Sequence, residues 1–172
     1  ARVVVGGFFT QVNGTSAQHL AAINPGGSGT QASWGSHVNY PVIDLAADSK
    51  GVYVAGAGGG GNFEGTSLAG QEKWVGGTNG NVQAIAVLGG IVYVGGHMQF
   101  YCGPQHGQHT CTNPIARDKL LAVDENTGNL TAWNPSANSV LGVFALYGVV
   151  SNGNVLVGGD FTSIGQRKQQ GY

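Results

Sequence analysis

The sequence predicts an all-β chain of repeated four-stranded antiparallel sheets, and three observations support this prediction. Glycine contributes 32 of the 172 residues without a three-residue period, so it must serve turns and bends. Apolar residues recur with a period of two, and no stretch keeps helical spacing long enough for an ordinary helix. One strand motif also returns four times along the chain.

The recurring motif is an apolar strand that ends in a pair of small residues. Its copies occupy 3–7, 52–56, 92–96 and 155–159. Their spacing of about 40–50 residues, with insertions, is typical of a structural repeat of four strands. The motif therefore predicts the second strand of each repeat.

Other elements recur in phase with this strand. Apolar strands that we expect to be innermost precede it at 42–46, 82–87 and 140–146. Further strands follow it at 20–23 and 120–124. A tryptophan then comes in each of three repeats, at Trp34, Trp74 and Trp133. Because these indoles recur at one level, we expect them to fill the space between neighbouring sheets.

Two glycine-containing segments predict connections between strands. Residues 124–128 begin with a turn-forming aspartate and end on a glycine that tolerates a positive φ, so they predict the turn between the third and fourth strands. The four glycines at 58–61 predict a flexible or bulged connection, because they lack the Lys-Ser/Thr pair of a phosphate-binding loop.

Together these elements carry a family resemblance. The order Val-Tyr-Val-Gly-Gly, Leu-Ala-Val-Asp-x-x-Thr-Gly, tryptophan and an Ala-rich apolar strand resembles the blade repeats of quinoprotein-like and kelch-like β-propellers. Residues 91–172, with a two-cysteine insertion and a Gly-Gly-Asp-Phe-Thr strand, are similar to secreted repeat-propeller proteins of the actinobacterial type. The resemblance implies a propeller fold and an extracellular setting. It implies no particular activity, because propellers carry many functions.

The repeats predict a single β-propeller segment over 1–172. We expect a partial blade at 1–41, complete blades at 42–81 and 82–139, and a partial blade at 140–172. Because propellers close with about 4–8 blades, we expect these three to four blades to belong to a larger ring or assembly. The strand at 2–7 lacks an inner neighbour, and 169–172 stop where a third strand should begin. Such open strand edges are expected to pair with another chain or with more of a longer chain.

Charge and hydropathy narrow the expected partners. A net charge of −1 with seven scattered basic residues argues against nucleic acid, whose phosphates require a basic surface. No apolar run approaches the ~18–20 residues of a membrane span. The sequence predicts no cofactor, and the expected partner is a polysaccharide or another protein chain.

Both cysteines lie in one polar insertion, between Tyr101 and Cys111. Because no other thiol is available, this favours a Cys102–Cys111 disulfide and an oxidising, extracellular compartment. The alternative is a zinc site, since thiolates and imidazoles suit tetrahedral zinc. Its ligands would be Cys102, His106, His109 and Cys111. Their spacing is not that of a common zinc module, so the disulfide is the prediction.

Candidate ligand-binding residues come from positions where the repeats differ. Directly after the small pair the repeats carry Phe8, Ala57, His97 and Asp160. Since positions that pack stay alike, this divergence marks either a ligand surface or a solvated rim. Phe100 and Tyr101 are further candidates, because aromatic rings beside amides suit sugar faces. The other rings expected near strand ends are Phe9, Tyr40 and Trp133.

The acidic residues do not predict catalysis. The eight Asp and Glu residues are expected mostly in turns, and no pair is fixed by spacing as the acid/base couple of a glycosidase. The predicted function is an extracellular binding or structural module. The alternative is a carbohydrate-active or quinone-dependent oxidoreductase enzyme of propeller fold, which would require acids or an arginine lining the channel.

Overall fold

The computed structural model describes residues 2–26, 29–31 and 33–170. Within these ranges all regular structure is β, every strand pairing is antiparallel and no helix occurs, which confirms the all-β prediction. These ranges accordingly offer no helix that is long and apolar enough to cross a membrane. Residues 171 and 172, part of the segment where we expected a third strand to begin, lie outside the described residues, as does residue 1.

The described residues form eighteen strands in chain order. They are β1 (Val3–Gly6), β2 (Gln11–Val12), β3 (Thr15–Ser16), β4 (Leu20–Ile23), β5 (Thr30–Gln31), β6 (Val42–Ala47), β7 (Gly51–Gly58), β8 (Gly60–Ser67), β9 (Glu72–Thr78), β10 (Val82–Leu88), β11 (Ile91–Gly96), β12 (Phe100–Gly103), β13 (Ile115–Ala116), β14 (Leu120–Asp124), β15 (Val143–Val149), β16 (Asn154–Gly159), β17 (Ser163–Ile164) and β18 (Arg167–Lys168).

These strands form sheets that follow the sequence repeats. The first repeat gives β1-β4-β5, the third gives β10-β11-β14, and the fourth gives the pair β15-β16. The second repeat gives β6 to β9 in sequential order, and β12 and β13 extend its sheet to six strands. Two short hairpins, β2-β3 and β17-β18, occupy the same place after the small pair in the first and fourth repeats.

One irregularity recurs in the first hairpin of three repeats. The pairings β6-β7, β10-β11 and β15-β16 each shift register near the start of their first strand, at Val42/Asp44, Val82/Ala84 and Val143/Ala145. A bulge bends its strand and increases the local twist. The sequence repeat is therefore also a repeat of backbone geometry. The third of these strands begins later than the predicted 140, because residues 140–142 form a turn-like segment ahead of β15.

In the first and third repeats, the first small residue of the pair makes room for the next repeat. A β-carbon on Gly95 would lie 2.6 Å from Cγ1 of Val143, and one on Gly6 would overlap Val42. Val42 and Val143 occupy the same bulged position in successive repeats. Any larger side chain at Gly6 or Gly95 would separate two sheets, which explains why the motif requires a small residue.

In the second, third and fourth repeats, the second small residue lies close to the backbone that directly precedes the first strand of its repeat. A β-carbon on Gly56 would lie 2.5 Å from the carbonyl oxygen of Pro41, and one on Gly159 would lie 2.5 Å from that of Gly142. A β-carbon on Gly96 would likewise overlap the carbonyl oxygen of Asn81. Because the obstacle is backbone, it cannot move aside without disturbing the bulge.

Two tryptophans connect consecutive sheets. The Trp34 indole N–H donates to the Leu68 carbonyl at 3.2 Å, and the Trp74 indole N–H donates to the Glu125 carbonyl at 2.9 Å. Each indole packs beneath a glycine of the next repeat, Gly70 or Gly128, which has a positive φ. Each tryptophan therefore fills the space under a turn of the following sheet.

The hydrophobic core consists of separate clusters between consecutive repeats. One joins Leu20 and Trp34 to Val54, and a second joins Phe63 and Trp74 to Leu121. In the third cluster, Phe161 packs with Leu120, Ala137 and Val143. Each sheet therefore buries apolar side chains against its neighbours, as stacked repeats do.

The expectation for the glycines at 58–61 was wrong. Gly58 pairs with Gly60 at the tip of a continuous hairpin, so β7 and β8 are joined by a tight connection at Gly59. Both Gly58 and Gly60 have a positive φ, which allows this reversal. The sequence analysis also missed β8 itself, whose glycine-rich sequence has low β-propensity.

Candidate functional site

The candidate residues that follow the small pair make no direct contact with one another in the described part of the chain. Phe8 is 86% exposed and contacts the His19 ring at a centroid distance of 5.7 Å. His97 is exposed, and its carbonyl accepts a hydrogen bond from the Lys119 ammonium at 3.4 Å. No hydrogen bond or ring contact joins Phe8, His97 and Asp160 within the described part of the chain.

Asp160 holds the turn that precedes β15. Its carboxylate accepts hydrogen bonds from the Leu141 and Gly142 amides, at 2.9 and 3.1 Å, and from the Ser139 hydroxyl. The Ser139 hydroxyl and these amides lower the pKa of Asp160 to about 2. The side chain thus has a structural role in this turn.

We expect the 139–142 turn to loosen in acid. Because the folded pKa of Asp160 is lowered, its contribution is complete above the ordinary value of 3.8 and is lost as pH falls towards about 2. The Leu141 and Gly142 amide resonances should follow this titration in an NMR pH series, and Asp160→Asn should abolish it. Resonances that titrate near 3.8 in the unaltered chain would contradict the assignment.

The aromatic candidates differ in exposure. Phe100 is 37% exposed, but Tyr101 is only 4% exposed and packs against Phe63 at a centroid distance of 6.2 Å. Tyr40 is likewise buried at 4%. Tyr101 and Tyr40 are therefore core-packing rings, and neither presents its ring face to a sugar at the surface. Alternation along β12 explains this, since Tyr101 faces the core beside exposed Phe100.

The predicted Cys102–Cys111 disulfide is present, with its Cα atoms 4.9 Å apart. Because both sulfurs are used in this bond, neither is free as a thiolate ligand for the alternative zinc site with His106 and His109. His109 is exposed, whereas the His106 Nδ1 donates to the Asn62 side-chain oxygen at 3.3 Å.

The disulfide loop lies directly on the second repeat's sheet. The Gly107 amide donates to the Asn62 side-chain oxygen at 3.0 Å, and the Gln108 amide donates to the Thr78 carbonyl at 3.2 Å. A β-carbon on Gly107 would lie 2.7 Å from the Gly61 nitrogen. The glycines at 60, 61 and 77 therefore let two backbones touch.

A polar cleft of about 680 Å³ lies between the third and fourth repeats. We call it the amide groove, because four carboxamides line it together with three serines at 136, 139 and 163. The carboxamides are Gln99, Asn134, Asn138 and Gln166. Asn138 is fixed, since its oxygen accepts from the Thr162 and Ser163 amides at 2.9 and 2.7 Å. Lys119 and Asp118 complete the charged part of the lining.

Two of the eight acids are fully buried: Glu64, which lies in β8 and not in a turn, and Glu125, which lies in the predicted 124–128 turn. Glu64 and Glu125 are both 0% exposed. Glu125 Oε1 accepts from the Tyr53 hydroxyl at 2.7 Å, and its Oε2 accepts from the Lys50 ammonium at 3.0 Å. The pKa of the Tyr53 hydroxyl is raised mainly by burial and, to a smaller extent, by its hydrogen bond to Glu125.

Glu64 stands at a core position of the repeat. It pairs with Val54 in the sheet, where the first and third repeats pair Val5 with Ala21 and Val94 with Leu121. Glu64 Oε2 accepts from the Tyr40 hydroxyl at 2.7 Å, and its Oε1 accepts from His37 Nε2 at 2.7 Å. Burial and the neighbouring Glu64 carboxylate raise the pKa of Tyr40. Aligning the repeats through β8 would have marked this charged residue at an apolar position.

Comparison with protein-family models, with curated proteins and with solved structures finds no match to this chain. The case for a function therefore depends on the geometry of its own residues.

Proposed function

We propose that this chain is an extracellular β-propeller module that binds polysaccharide in the amide groove. One observation supports the ligand class above all: the groove combines carboxamides, hydroxyls, one lysine and one aspartate in a cleft of about 680 Å³. Carboxamides offer a donor and an acceptor side by side, which suits the alternating hydroxyls of a sugar ring.

Two features support the propeller assignment. The first strands of three successive repeats, β6, β10 and β15, line a single cleft of about 430 Å³. In addition, the Ile85 amide on β10 donates to the Asp44 carboxylate on β6 at 2.9 Å. Inner strands that meet side by side without a continuous ladder are the arrangement expected around a propeller channel. The disulfide supports the extracellular setting.

The groove favours binding over hydrolysis. Glycosidases use two carboxyl groups that flank the scissile bond, about 5–10 Å apart. Of the residues that line this groove in the described part of the chain, only Asp118 carries a carboxylate. The described lining of the groove therefore supplies one of the two carboxyl groups that a glycosidase requires.

A protein partner is the second candidate function. Half of the large hydrophobic side chains that are exposed among the described residues lie between 140 and 156. They include Phe144, Tyr147 and Leu156 on the two strands β15 and β16. Concentrated exposed apolar surface is typical of contacts between proteins. This surface is separate from the amide groove, so both roles are compatible.

We expect the chain to be retarded by soluble polysaccharide in affinity electrophoresis with dextran, xylan and soluble starch. Gln99→Ala and Gln166→Ala should each weaken binding about two- to tenfold, because each removes a hydrogen bond worth ~0.5–1.5 kcal/mol. Gln71→Ala is the matched control, since Gln71 is equally exposed and lies outside the groove.

The same samples test for catalysis through release of reducing sugar, which should stay at background. The binding proposal fails if none of the three polysaccharides retards the chain, or if Gln71→Ala weakens binding as much as Gln99→Ala does. Sustained release of reducing sugar would instead support the enzyme alternative.

A further inference from the structure

A polar cluster lies between the first and second sheets, away from the amide groove. Alternation along β8 places Glu64 and Thr66 on the same face of the sheet, and Glu72 of β9 pairs opposite Thr66. His37 comes from the turn at 33–37 that follows the first repeat's strands. The register of one sheet and the turn of its neighbour thus bring together three potential metal ligands, His37, Glu64 and Glu72.

The ligand atoms of His37, Glu64 and Glu72 all lie within 4.8 Å of one another. Two of them, His37 Nε2 and Glu64 Oε1, are 2.7 Å apart. Around a zinc ion, ligands at about 2.0–2.2 Å are separated from each other by roughly 3–4 Å. Side-chain adjustments of about one ångström are therefore sufficient to place the three atoms around one ion.

The charges in this cluster are not balanced by a permanent cation. Glu64 is fully buried, and its single ion-pair partner among the described residues is His37. The other fully buried carboxylate, Glu125, is paired with Lys50. Glu72 adds a second carboxylate beside Glu64. A buried carboxylate is costly unless it is paired or coordinates a metal.

The surroundings of Glu64 match those of a coordinating carboxylate. The Tyr40 hydroxyl donates to its Oε2 at 2.7 Å, and the Thr66 hydroxyl donates to its Oε1 at 3.1 Å. Hydrogen bonds to a ligating carboxylate fix its orientation in metal sites. Because the other repeats have Ala21 and Leu121 at this position, packing alone does not require a carboxylate there.

We propose that His37 Nε2 and the carboxylates of Glu64 and Glu72 bind one divalent transition-metal ion of the zinc class. One imidazole and two carboxylates form a mixed nitrogen and oxygen ligand set that zinc accepts in tetrahedral geometry. Three protein ligands leave the fourth position for water or a small ligand. Glu72 is exposed and His37 is partly exposed, so the ion can enter from solvent.

Isothermal titration of the EDTA-dialysed full chain with zinc chloride alone tests this proposal. One zinc ion should bind per chain, and the cobalt-substituted chain should show the visible spectrum of a tetrahedral site. Glu72→Gln and His37→Gln should each weaken zinc binding at least about tenfold, because each removes a ligand. His109→Gln, at an exposed histidine outside the cluster, should leave binding unchanged.

Glu72→Gln changes an exposed side chain, so it retains the fold even if His37→Gln does not. Far-UV circular dichroism checks the fold of both variants. The proposal is overturned if the unaltered chain binds no zinc, if folded Glu72→Gln binds zinc as tightly as the unaltered chain, or if His109→Gln removes the binding.

Discussion

Replacing Trp74 with alanine is expected to lower the free energy of unfolding by about 3–5 kcal/mol, the range for deleting a buried large aromatic side chain. The indole is 7% exposed, stacks on Tyr53 and meets the edge of Phe63. Its N–H donates to the Glu125 carbonyl of the next repeat. The substitution therefore removes core packing and a hydrogen bond between sheets together. Urea unfolding followed by circular dichroism measures the change.

Trp133→Ala is the matched control for this prediction. Trp133 occupies the same place in its repeat, but it is half-buried and packs edge-on against Tyr93 of its own sheet at 5.2 Å. We expect a clearly smaller loss of stability for Trp133→Ala than for Trp74→Ala. Equal losses would contradict the expected contribution of the deeper burial of Trp74 and of its hydrogen bond to the Glu125 carbonyl.

Replacing Gly61 with alanine is expected to destabilise the chain by about 1–3 kcal/mol, the usual cost of forcing extra atoms into a packed region. The added β-carbon would lie 2.5 Å from Thr78 Oγ1 and 2.6 Å from the Val82 nitrogen. The disulfide loop also lies on this residue through Gly107. Because most of these neighbours are backbone, they cannot move aside cheaply.

Gly26→Ala is the control for the same chemical change in open space. Among the described residues, no atom outside Gly26 and its chain neighbours lies within 4 Å of the β-carbon that would be added, so the effect should stay within about 0.5 kcal/mol. Denaturant unfolding compares the two variants, and limited proteolysis should show faster cleavage in the 103–111 loop of Gly61→Ala. Similar stabilities for both variants would contradict the close packing of Gly61 against Thr78, Gly80 and Val82.

The repeat strands could be predicted because their pattern is local. An apolar run that ends in two small residues shows where each second strand ends, and Gly95 and Gly96 do end β11. The turn at 124–128 was also predictable, since Asp124 accepts from the Asn126 and Thr127 amides at 3.1 and 2.9 Å and Gly128 has a positive φ. Short-range turn chemistry is sufficient in this case.

Contacts distant in sequence could not be predicted in the same way. β8 is rich in glycine and resembles a loop, but the disulfide loop, more than forty residues later, packs on its first residues, Gly60 and Gly61. The pairing of β12 with β9 joins an insertion of the third repeat to the sheet of the second. Only the tertiary structure brings these segments together.

The partners of the buried carboxylates could not be predicted either, because they are distant in sequence. In the sequence, Glu64 is one acid between a phenylalanine and a glycine, and nothing local marks it as buried. His37 and Tyr40 become its partners because two sheets meet there. By contrast, the divergent positions at Phe8, His97 and Asp160 were easy to single out, but the contacts of the described residues do not unite them in one site.

The six-stranded sheet affects how independently the repeats can unfold. In an array with only neighbour contacts, each repeat can unfold almost independently and the outer ones fray first. Here the backbone ladder between β9 and β12 runs across the boundary between the second and third repeats, and the Cys102–Cys111 bond closes the loop that lies on it. We therefore expect these two repeats to unfold as one cooperative unit, whereas no backbone ladder among the described residues joins the β15-β16 hairpin to another sheet.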